Sequence, residues 1–317
     1  MSNSIKPLLK WVGGKSQLLN EIFPLFPEKI DNYYEPFIGG ASILFELLNN
    51  IQNKKMIVKK SINVYDNNKN LIIFYNTIKN NSDLFNEKIK ILKSEYENCG
   101  NNKINAKKIS YPINKESIIE SKELFYYYIR QEYNKLINIT TDCDNKDIMI
   151  SVYLLFLNKT CFRGLYRIGP NGFNVPYGNY KNPSIFDENE INHISTLLNK
   201  YNVIFTYQSF EELFEKNEFS KDDFIYLDPP YVPENSKSFV SYNEDGFNEN
   251  KHKKLFTYVK DLNCKFLMSN SDTPLLYEFF VQQVGKTDKN YNIKKIKAKR
   301  AIKSNDPTAT TNELLIY

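Results

Sequence analysis

Apolar and polar positions in the first eighty residues alternate between the spacing of a strand and that of a helix. Residues 33–37 have the pattern of a short strand that ends before a pair of glycines, and the apolar side chains at 43, 44, 47 and 48 have the spacing of one helix face. The elements predicted here are a strand over 33–37, a helix over 41–48, a strand over 61–65 and a helix over 70–78. This order is typical of the opening of a doubly wound α/β sheet.

The pattern changes between about residue 80 and residue 190. Polar, Lys/Asn-rich stretches with helical spacing alternate with loops up to about 150, and a segment punctuated by glycine and proline follows over 158–183. Strands and helices alternate again from residue 202 onward: strand 202–207, helix 210–214, strand 224–227, helix 249–260, strand 265–268, helix 274–280, and strands 291–298 and 313–317. A short loop separates the last two strands, which predicts an antiparallel hairpin at the end of the sheet.

The chain is therefore predicted to be an α/β protein whose sheet domain is interrupted by one insertion. We predict that residues 1–78 and 190–317 form the sheet domain and that residues 79–189 form an inserted, mainly helical domain. At 317 residues the chain is long enough for both parts. An insertion at one edge of a ligand-binding sheet is a place for a recognition domain, and equally for an elaboration without function.

Composition narrows the class of protein only slightly. Hydrophobic residues make up 41% and aromatic residues 15% of the chain, and the formal net charge is +5. This mild positive charge permits a polyanionic partner without requiring one. Arginine is scarce, and two of the four arginines, Arg163 and Arg167, lie in one segment.

Cysteine and histidine are too few and too scattered for a metal site. The four cysteines show no C-x-x-C spacing, and His193 and His252 have no partner at metal-ligand spacing. We therefore expect reduced thiols and no metal. The sequence has no run of 18 apolar residues and no apolar leader after Met1, so we expect no membrane segment. The expectation is a soluble, intracellular protein, cytoplasmic or in the host-cell compartment if viral.

Asp228-Pro229-Pro230-Tyr231 follows the apolar strand predicted over 224–227, at the edge where α/β sheets bind ligands. A carboxylate and a rigidly presented carbonyl would accept the two N–H groups of an exocyclic amino group such as adenine N6 and shift that nitrogen toward sp³ geometry. The prolines fix φ and hold the Pro229 carbonyl outward. Tyr231 offers a ring on which a base removed from the duplex would stack. The alternative is an ordinary exit from a strand that happens to contain prolines.

A second group of residues describes a nucleoside pocket. In Glu35-Pro36-Phe37-Ile38-Gly39-Gly40 the small residues let the backbone approach a ligand, and the N-terminus of the next helix points at that ligand. Asp66 ends the second predicted strand, where a carboxylate commonly accepts ribose hydroxyl groups. The turn is not a G-x-G-x-x-G sequence, and on these grounds alone NAD would fit as well.

The segment Lys10-Trp11-Val12-Gly13-Gly14-Lys15-Ser16 is similar to the end of a phosphate-binding P-loop but fails its spacing test. That loop requires a glycine five places before Gly14, and Leu9 stands there. The sequence therefore excludes a P-loop ATPase. What remains is a flexible loop with one aromatic residue and two cations.

The most distinctive part of the insertion pairs arginines and aromatic residues with glycines. It consists of residues 158–167 (NKTCFRGLYR) and 172–180 (GFNVPYGNY). Arginine suits bidentate contact with guanine O6 and N7, and an exposed aromatic ring can wedge into a base stack. The alternative is a solvated loop with Arg–carboxylate pairs.

In this order the motifs resemble those of the Dam-type adenine-N6 DNA methyltransferases, whose recognition domain lies between the cofactor and catalytic motifs. The resemblance covers most of the chain and is weakest over 80–155. The matching sequences are K-W-x-G-G-K at 10–15, E-P-F-x-G-G at 35–40, Asp66, G-L-Y-R at 164–167, F-N-V-P at 173–176, D-P-P-Y at 228–231, Ser269-Asn270 and Asn312–Ile316. The resemblance implies a Rossmann-like methyltransferase domain that uses S-adenosylmethionine, with 79–189 as the DNA target-recognition domain.

The resemblance also implies roles for individual residues. It assigns contacts with S-adenosylmethionine to Trp11, Lys15, Asp66 and Asp228, a turn around its methionine part to Glu35, Pro36, Phe37, Gly39 and Gly40, and the lining of its adenine pocket to Ser209 and Phe210. The implied target is GATC in double-stranded DNA. Lys10 would contact the first guanine, Phe162 would intercalate beside the flipped adenine, and the base pairs would be read by Leu165, Arg167, Pro176 and Tyr180. Arg163, also assigned to the DNA contact, stands where the family usually has Asn.

The expected reaction is a direct methyl transfer to N6 without a covalent enzyme intermediate. In it Asp228 accepts from N6, Pro229 supplies the carbonyl, Pro230 stiffens the turn and Tyr231 stacks on the base. The rival interpretations are a methyltransferase acting on cytosine N4 or on a protein glutamine, a catalytically silent DNA-binding protein, and a nicotinamide dehydrogenase. The sequence leaves open whether a cognate restriction endonuclease acts on the same site.

Overall fold

The structure of the protein, a computed structural model, describes residues 5–102, 104, 109–139, 145–232, 247–281, 291–299 and 310–317. The chain divides into two compact units. The sheet unit contains Gly13–Asn67 and Asn202–Tyr317, and the helical unit contains Met1–Val12 and Asn68–Tyr201.

The sheet unit contains a seven-stranded sheet in the order β5-β2-β1-β6-β7-β9-β8. Its strands are β1 (Lys29–Glu35), β2 (Ile57–Asp66), β5 (Ile204–Tyr207), β6 (Phe224–Leu227), β7 (Lys265–Ser271), β8 (Ile293–Lys299) and β9 (Thr310–Ile316). The pairs β5–β2, β2–β1, β1–β6 and β6–β7 are parallel, and β9 is antiparallel to both of its neighbours. The predicted α/β class with a mostly parallel, Rossmann-like sheet is confirmed.

The described part of the sheet unit contains five helices. They are α1 (Leu19–Ile22), which continues into a 3-10 turn over Phe23–Leu25, α2 (Ser42–Gln52), α8 (Phe210–Lys216), α9 (Glu249–Asp261) and α10 (Pro274–Phe280). All four residues of β6 are buried, as expected for a central parallel strand. One core cluster joins apolar side chains of β6, β7, β9, α9 and α10, including Ile225, Leu255, Met268 and Leu314.

The first strand differs from its prediction. β1 spans Lys29–Glu35 rather than 33–37, and β2 begins at Ile57 rather than at 61. The early halves of both strands pair with each other, with Lys29 opposite Ile57, but Lys59 and Lys60 make this part of β2 look polar in the sequence. β1 ends at Glu35 because the next residue, Pro36, has no N–H to donate to a ladder.

The two closing strands form the predicted antiparallel hairpin, but their order in the sheet was not foreseen. β9, the last strand, lies between β7 and β8, so Glu313 stands opposite Ser271 on one side and Ile296 on the other. The hairpin therefore ends the sheet with its first strand outermost. This order brings the C-terminal strand next to the strand that contains Ser269 and Asn270.

The described residues of the helical unit form five helices and a small hairpin. The helices are α3 (Lys69–Asn80), α4 (Ser82–Asn98), α5 (Lys122–Asn138), α6 (Lys146–Thr160) and α7 (Glu188–Lys200), and 3-10 turns span Lys115–Glu120 and Phe162–Gly164. α6 packs against α3, α4 and α5 and buries ten of its residues, so it is apolar all round instead of amphipathic. The two-residue strands β3 (Ile168–Gly169) and β4 (Gly172–Phe173) pair antiparallel; they were not predicted.

The compact units do not follow the predicted domain boundaries. The helical unit begins at Asn68 instead of 79 and ends at Tyr201 instead of 189, and it includes the segment that ends at Val12. The reason is that α3 packs against α6 and α7, while α7 also packs against α4. The assignment of one part to catalysis and the other to DNA recognition stays a prediction.

The described part of the chain also bears on membrane segments, metal sites and thiols. None of its helices is both long and apolar enough to span a membrane. No three side chains among its His, Cys, Asp and Glu residues are grouped so that they could hold a metal ion. Cys99, Cys161 and Cys264 are buried, and Cys143 lies outside the described residues.

Candidate active site

The candidate site lies where the order of the parallel strands reverses. Within the sheet, β2 and β5 lie on one side of β1, and β6 and β7 lie on its other side. Ligands of open α/β sheets bind at the carboxyl ends of the strands at this switch point. β1 ends here at Glu35, and Asp228 follows directly after the end of the neighbouring strand β6.

Asp228 forms an ion pair with Lys15. The Lys15 Nζ lies 2.7 Å from Asp228 Oδ2, and the two side chains are 2% and 18% exposed. The same ammonium group donates to the Gly13 carbonyl at 2.6 Å, and the Lys15 backbone N–H donates to Ser42 Oγ at 3.1 Å. The buried cation is therefore held in place from α2 as well as from its own loop.

Burial raises the pKa of Asp228 from its ordinary value to about 6. The Lys15 ammonium opposes this shift because it favours the ionised carboxyl, whereas the Glu313 carboxylate adds to it. At neutral pH Asp228 is therefore mostly ionised and able to accept hydrogen bonds. It loses this ability as the pH falls through about 6.

The three residues after Asp228 form a tightly held turn. Pro229 is buried and Pro230 is exposed. The Tyr231 hydroxyl donates to Glu313 Oε2 at 2.7 Å, and the Lys15 ammonium lies 4.9 Å from the centroid of the Tyr231 ring. Both backbone groups of Val232 are also bound: its N–H donates to Asn270 Oδ1 at 3.1 Å and its carbonyl accepts from Ser271 Oγ at 2.6 Å.

Glu35 is buried at the end of β1, and it is 2% exposed. Burial raises its pKa to about 8; the hydrogen bond that Tyr33 Oη donates to Glu35 Oε2, at 2.8 Å, lowers this value, and the charges of Asp228 and Asp66 raise it. Glu35 therefore holds a proton at neutral pH. Its position next to two ionised carboxyl groups is tolerable because it does not add a third negative charge.

The turn after β1 is shaped for a close approach to its backbone. Gly39 has a φ of 48° and Ala41 a φ of 62°, both in the left-handed region. Asp66, at the end of β2, accepts a hydrogen bond from the Gly39 N–H at 3.1 Å. The carboxylate and the turn are thus locked together at the carboxyl edge of the sheet, in front of the N-terminus of α2.

An aromatic group lies beside this turn. The ring centroids of Phe37 and Phe210 are 5.7 Å apart, and Phe247 lies 5.8 Å from the first and 5.3 Å from the second. Ser209 precedes Phe210 and caps α8, because its Oγ accepts from the Glu212 N–H at 3.2 Å. The predicted cofactor residues of the sheet unit are therefore grouped at one edge, although the Ser209 hydroxyl is already used in the cap.

The residues predicted to contact DNA belong to the helical unit. The Asn158 side chain connects two of the segments that contain them, one at Lys10 and one at Gly164. Asn158 is 1% exposed; its Oδ1 accepts from the Lys10 N–H at 2.8 Å, and its Nδ2 donates to the carbonyls of Lys10 and Gly164 at 2.9 and 3.1 Å. The N-terminal segment is thereby fixed against the turn that presents Phe162 and Arg163. A Cβ on Gly164, whose φ is 67°, would lie 2.5 Å from Lys10 Cδ.

Two aromatic contacts hold the same N-terminal segment. The Trp11 ring stacks on Tyr166 with centroids 5.2 Å apart, and the Lys10 ammonium lies 5.0 Å from the Tyr180 ring centroid. Trp11 was predicted together with the cofactor residues, and it belongs to the helical unit. Lys15, only four residues later, belongs to the sheet unit.

The turn Phe162–Gly164 and the small hairpin after it expose an aromatic ring and two arginines. Phe162 is 45% exposed, and the Arg163 guanidinium lies 5.1 Å from its ring centroid. Arg163 has a φ of 59°, a left-handed conformation that is uncommon for a residue other than glycine. Arg167 Nε donates to Asn174 Oδ1 at 2.6 Å across the small hairpin. Leu165 is half-buried, and the exposed Pro176 accepts from the Phe162 N–H at 2.8 Å.

Sequence reasoning missed five residues that organise these sites. Ser269-Asn270 and the segment containing Glu313 matched the family pattern, but no role followed from that match. The signal in the sequence was weak: Ser42, Asn158 and Glu313 each border an apolar run, and Asn270 and Ser271 lie just after one. The missed residues are Ser42, Asn158, Asn270, Ser271 and Glu313.

Comparison with known proteins gives a consistent result over most of the chain. The profile of the D12 class N6 adenine-specific DNA methyltransferases matches residues 11–302. The chain is 36% identical over 308 residues to the type II methyltransferase M.MjaIII of Methanocaldococcus jannaschii, which covers 94% of this chain and 93% of that protein.

Two other relatives extend the comparison. The type II methyltransferase M1.LlaDCHI of Lactococcus lactis subsp. cremoris is 32% identical, over 94% of this chain and 89% of the relative. The DNA adenine methylase of Escherichia coli K12 is 27% identical, over 96% and 91%. An adenine-specific profile favours adenine over cytosine N4 or a protein glutamine, and it gives no support to a nicotinamide dehydrogenase. The chain belongs to the D12 class of N6 adenine-specific DNA methyltransferases.

Proposed function

We propose that this enzyme transfers a methyl group from S-adenosylmethionine to N6 of adenine within GATC in duplex DNA, with the adenine flipped against Asp228–Tyr231. The observation that supports this most directly is the state of the Asp228 carboxylate. Its Oδ2 is held by Lys15, while its Oδ1 receives no hydrogen bond from the described residues. One oxygen is thus anchored and the other is placed to accept an N–H.

The proposed chemistry follows from the two acceptors in this turn. Asp228 Oδ1 accepts one N6 hydrogen and the Pro229 carbonyl accepts the other, so the nitrogen lone pair is less delocalised into the ring and more nucleophilic. Tyr231 stacks on the flipped base and keeps N6 in reach of both acceptors. The anchored, mostly desolvated carboxylate needs little reorganisation, which is the condition for effective electrostatic stabilisation.

The residues at the carboxyl edge fit the cofactor. S-adenosylmethionine supplies an electrophilic methyl group on a sulfonium ion when it is bound. Asp66, fixed by the Gly39 N–H, is placed to accept ribose hydroxyl groups, and the left-handed turn at Gly39 and Ala41 allows close backbone approach. The remaining proposed contacts are Trp11, Lys15, Glu35, Pro36, Phe37, Gly40, Ser209, Phe210 and Asp228.

The DNA contacts are proposed for the exposed segment of the helical unit. Phe162 would intercalate beside the flipped adenine, and Arg163 would follow it into the stack because its guanidinium already lies against the Phe162 ring. Lys10 would contact the first guanine, and Arg167 would read a base pair with the three N–H donors that its two contacts with Asn174 leave. Leu165, Pro176 and Tyr180 complete the proposed reading surface.

A cognate restriction endonuclease is proposed as the functional partner. The two relatives M.MjaIII and M1.LlaDCHI are named type II methyltransferases. If this protein acts with an endonuclease, methylation of its target would protect that site from an endonuclease that cleaves the same sequence. A solitary methyltransferase would have no such partner. Cleavage of unmethylated GATC by an enzyme from the same source, blocked after treatment with this protein, would support the pairing.

The proposal is tested by methyl transfer from labelled S-adenosylmethionine to short duplexes. One duplex contains GATC, a second carries purine in place of its adenine, and a third contains adenine only in other contexts. Label in the GATC duplex alone supports both N6 transfer and the target. Label in the third duplex would still support transfer to adenine but would overturn GATC as the target sequence. No label in any duplex would overturn the proposed reaction.

The matched variant is Asp228→Ala. We expect it to abolish transfer, because the anchored acceptor is lost, and to leave DNA binding within a few-fold of that of the unmodified protein. Retained turnover would remove Asp228 from the mechanism.

A further inference from the structure

We propose that Glu313 is a positioning residue for methyl transfer, which fixes the Tyr231 ring so that it stacks on the target adenine. The inference rests on the proposed function, in which Tyr231 carries the flipped base. Glu313 stands in the last strand, far in sequence from the catalytic turn, and no role followed for it from the motif pattern.

The contact between the two side chains is short and shielded from solvent. The Tyr231 hydroxyl donates to Glu313 Oε2 at 2.7 Å, and Glu313 is 8% exposed. A carboxylate can only accept, so the phenol must donate, and this fixes the direction of the hydroxyl as well as its position. Hydrogen bonds to an ionised acceptor are also the stronger ones.

The sheet places Glu313 rigidly. β9 pairs with β7 and β8 on its two sides, and Glu313 lies opposite Ser271 and Ile296. Ser271 in turn donates to the Val232 carbonyl at 2.6 Å, so the same pair of strands holds the backbone next to Tyr231. Residues on paired strands hold a side chain more accurately than residues on a loop do.

Tyr231 is thus restrained at three points. Glu313 holds the hydroxyl, Asn270 and Ser271 hold the following residue, and the Lys15 ammonium lies 4.9 Å from the ring centroid. Since Lys15 covers one face of the ring, a base that stacks on Tyr231 takes the opposite face. The restraint on the hydroxyl is the one that sets the tilt of the ring, because it acts at the end farthest from the backbone.

A second carboxylate near Asp228 is costly unless it has a use. The groups that act on the Asp228 carboxyl are the Lys15 ammonium and the Glu313 carboxylate, and Asp228 in turn acts on Glu35, Tyr226 and Tyr231. Glu313 raises the pKa of Asp228 and so opposes the ionised form that transfer needs. A residue whose only task was to fill the strand would not need to be charged here.

The test compares Glu313→Ala, Glu313→Gln, Tyr231→Phe and the double variant Glu313→Ala/Tyr231→Phe, with Glu278→Gln as a control at an exposed glutamate. Single-turnover methyl transfer, DNA affinity and thermal unfolding are measured for each. A duplex with 2-aminopurine at the target position reports extrusion and stacking of the base by its fluorescence.

We expect Glu313→Ala and Tyr231→Phe to slow transfer about tenfold or more, with DNA affinity changed less than threefold and an altered 2-aminopurine signal. The double variant should be no slower than either single variant, because both remove the same bond. Glu313→Gln should retain most of the rate, since its amide oxygen can accept the bond. Its rate should also fall off at a lower pH, because the charge that raises the pKa of Asp228 is gone.

The proposal is overturned if Tyr231→Phe transfers at the normal rate, or if the losses in Glu313→Ala and Tyr231→Phe multiply in the double variant. If Glu313→Ala fails to fold, the other two single variants still test the proposal. Slow transfer by Tyr231→Phe together with a nearly normal rate of Glu313→Gln supports it, and a normal rate of Tyr231→Phe overturns it. Failure of the proposed function looks different, because the unmodified protein would then transfer no label to the GATC duplex.

Discussion

At the edge of the sheet, the buried Lys15 ammonium group contacts the side chains of two residues of the catalytic turn. Lys15 neutralises Asp228 and lies against the face of Tyr231. Glu35 and Glu313, also acidic, complete the group. Because burial weakens the solvation of charges here, the pKa values of Asp228 and Glu35 are set by their surroundings more than by their residue type.

The rate of methyl transfer should depend on the protonation of Asp228. Transfer should fall as the pH drops through about 6, since the protonated acid is a poorer acceptor for N6. Lys15→Met should move this fall to higher pH, because the ammonium group lowers the pKa of Asp228. The measurement is the single-turnover rate against pH at saturating cofactor. An unchanged midpoint in Lys15→Met would contradict the assigned ion pair.

Protonation of Glu35 should be visible in stability. Its pKa is about 8 in the folded protein and lies near the ordinary value of 4.5 after unfolding. The folded state therefore binds a proton that the unfolded state has released, and this contribution to stability is complete below 4.5 and is lost as the pH rises to about 8.

Glu35→Gln mimics the protonated acid and removes that dependence. Between pH 6 and 9 the free energy of unfolding of the unmodified protein should fall by roughly 2 kcal/mol more than that of the variant. Urea unfolding at the two pH values measures the difference. Parallel losses in both proteins would show that Glu35 is already ionised at pH 6.

At the level of elements, the end of α6 and the turn after it form the frame of the proposed DNA-reading segment. Asn158 lies in the last turn of α6 and binds the backbone of both Lys10 and Gly164. The segment Phe162–Gly164 contains two residues with positive φ, Arg163 and Gly164. A backbone of this kind persists only where its surroundings hold it in place.

Asn158→Asp should loosen this frame without a change of size. The new carboxylate oxygen faces the carbonyls of Lys10 and Gly164, so two hydrogen bonds are replaced by repulsion. We expect a loss of about 1–3 kcal/mol in stability and weaker binding of the GATC duplex. Asn138→Asp, at an exposed asparagine of α5 with one backbone bond, is the control. Equal effects of the two substitutions would argue against the frame.

Across the whole molecule, the chain passes between the compact units after Val12, Asn67 and Tyr201. Each unit is therefore built from separated pieces of sequence. One consequence concerns the K-W-V-G-G-K motif, since Lys10 and Trp11 belong to the helical unit and Lys15 to the sheet unit. Residues with neighbouring places in one motif thus contribute to different parts of the protein.

Binding of the cofactor should stabilise the folded protein as a whole. At a concentration of one hundred times its dissociation constant, a ligand that binds only the folded state adds about 2.7 kcal/mol, which corresponds to a rise in Tm of roughly 5 °C. We expect S-adenosylmethionine to produce this rise and Asp66→Ala to abolish it. Asp83→Ala, at an exposed position in α4, is the control. A full rise in Asp66→Ala would remove Asp66 from the cofactor site.

Much of the fold was predictable because its strands and helices have strong local patterns. The buried strand β6 is a continuous apolar run closed by prolines, and α10 spans the predicted 274–280. The first half of β2 was not predictable, since Lys59 and Lys60 are stabilised there by Asp31, a residue of the neighbouring strand. The small hairpin β3–β4 has two residues in each strand, too few for any periodic pattern.

The local pattern of the chain was enough to determine which residues are candidates for the chemistry. Asp228–Tyr231 was recognisable because it follows an apolar strand, and Glu35–Gly40 because it spans the end of a predicted strand; both contain residues that restrict or free the backbone. Only the tertiary structure decided which candidates meet. Lys15 reaches Asp228, and Glu313 reaches Tyr231, because strands and loops far apart in the chain come together at one edge of the sheet. Periodicity describes neighbours along the chain, whereas pairing across a sheet depends on strand order and register, which no single segment contains.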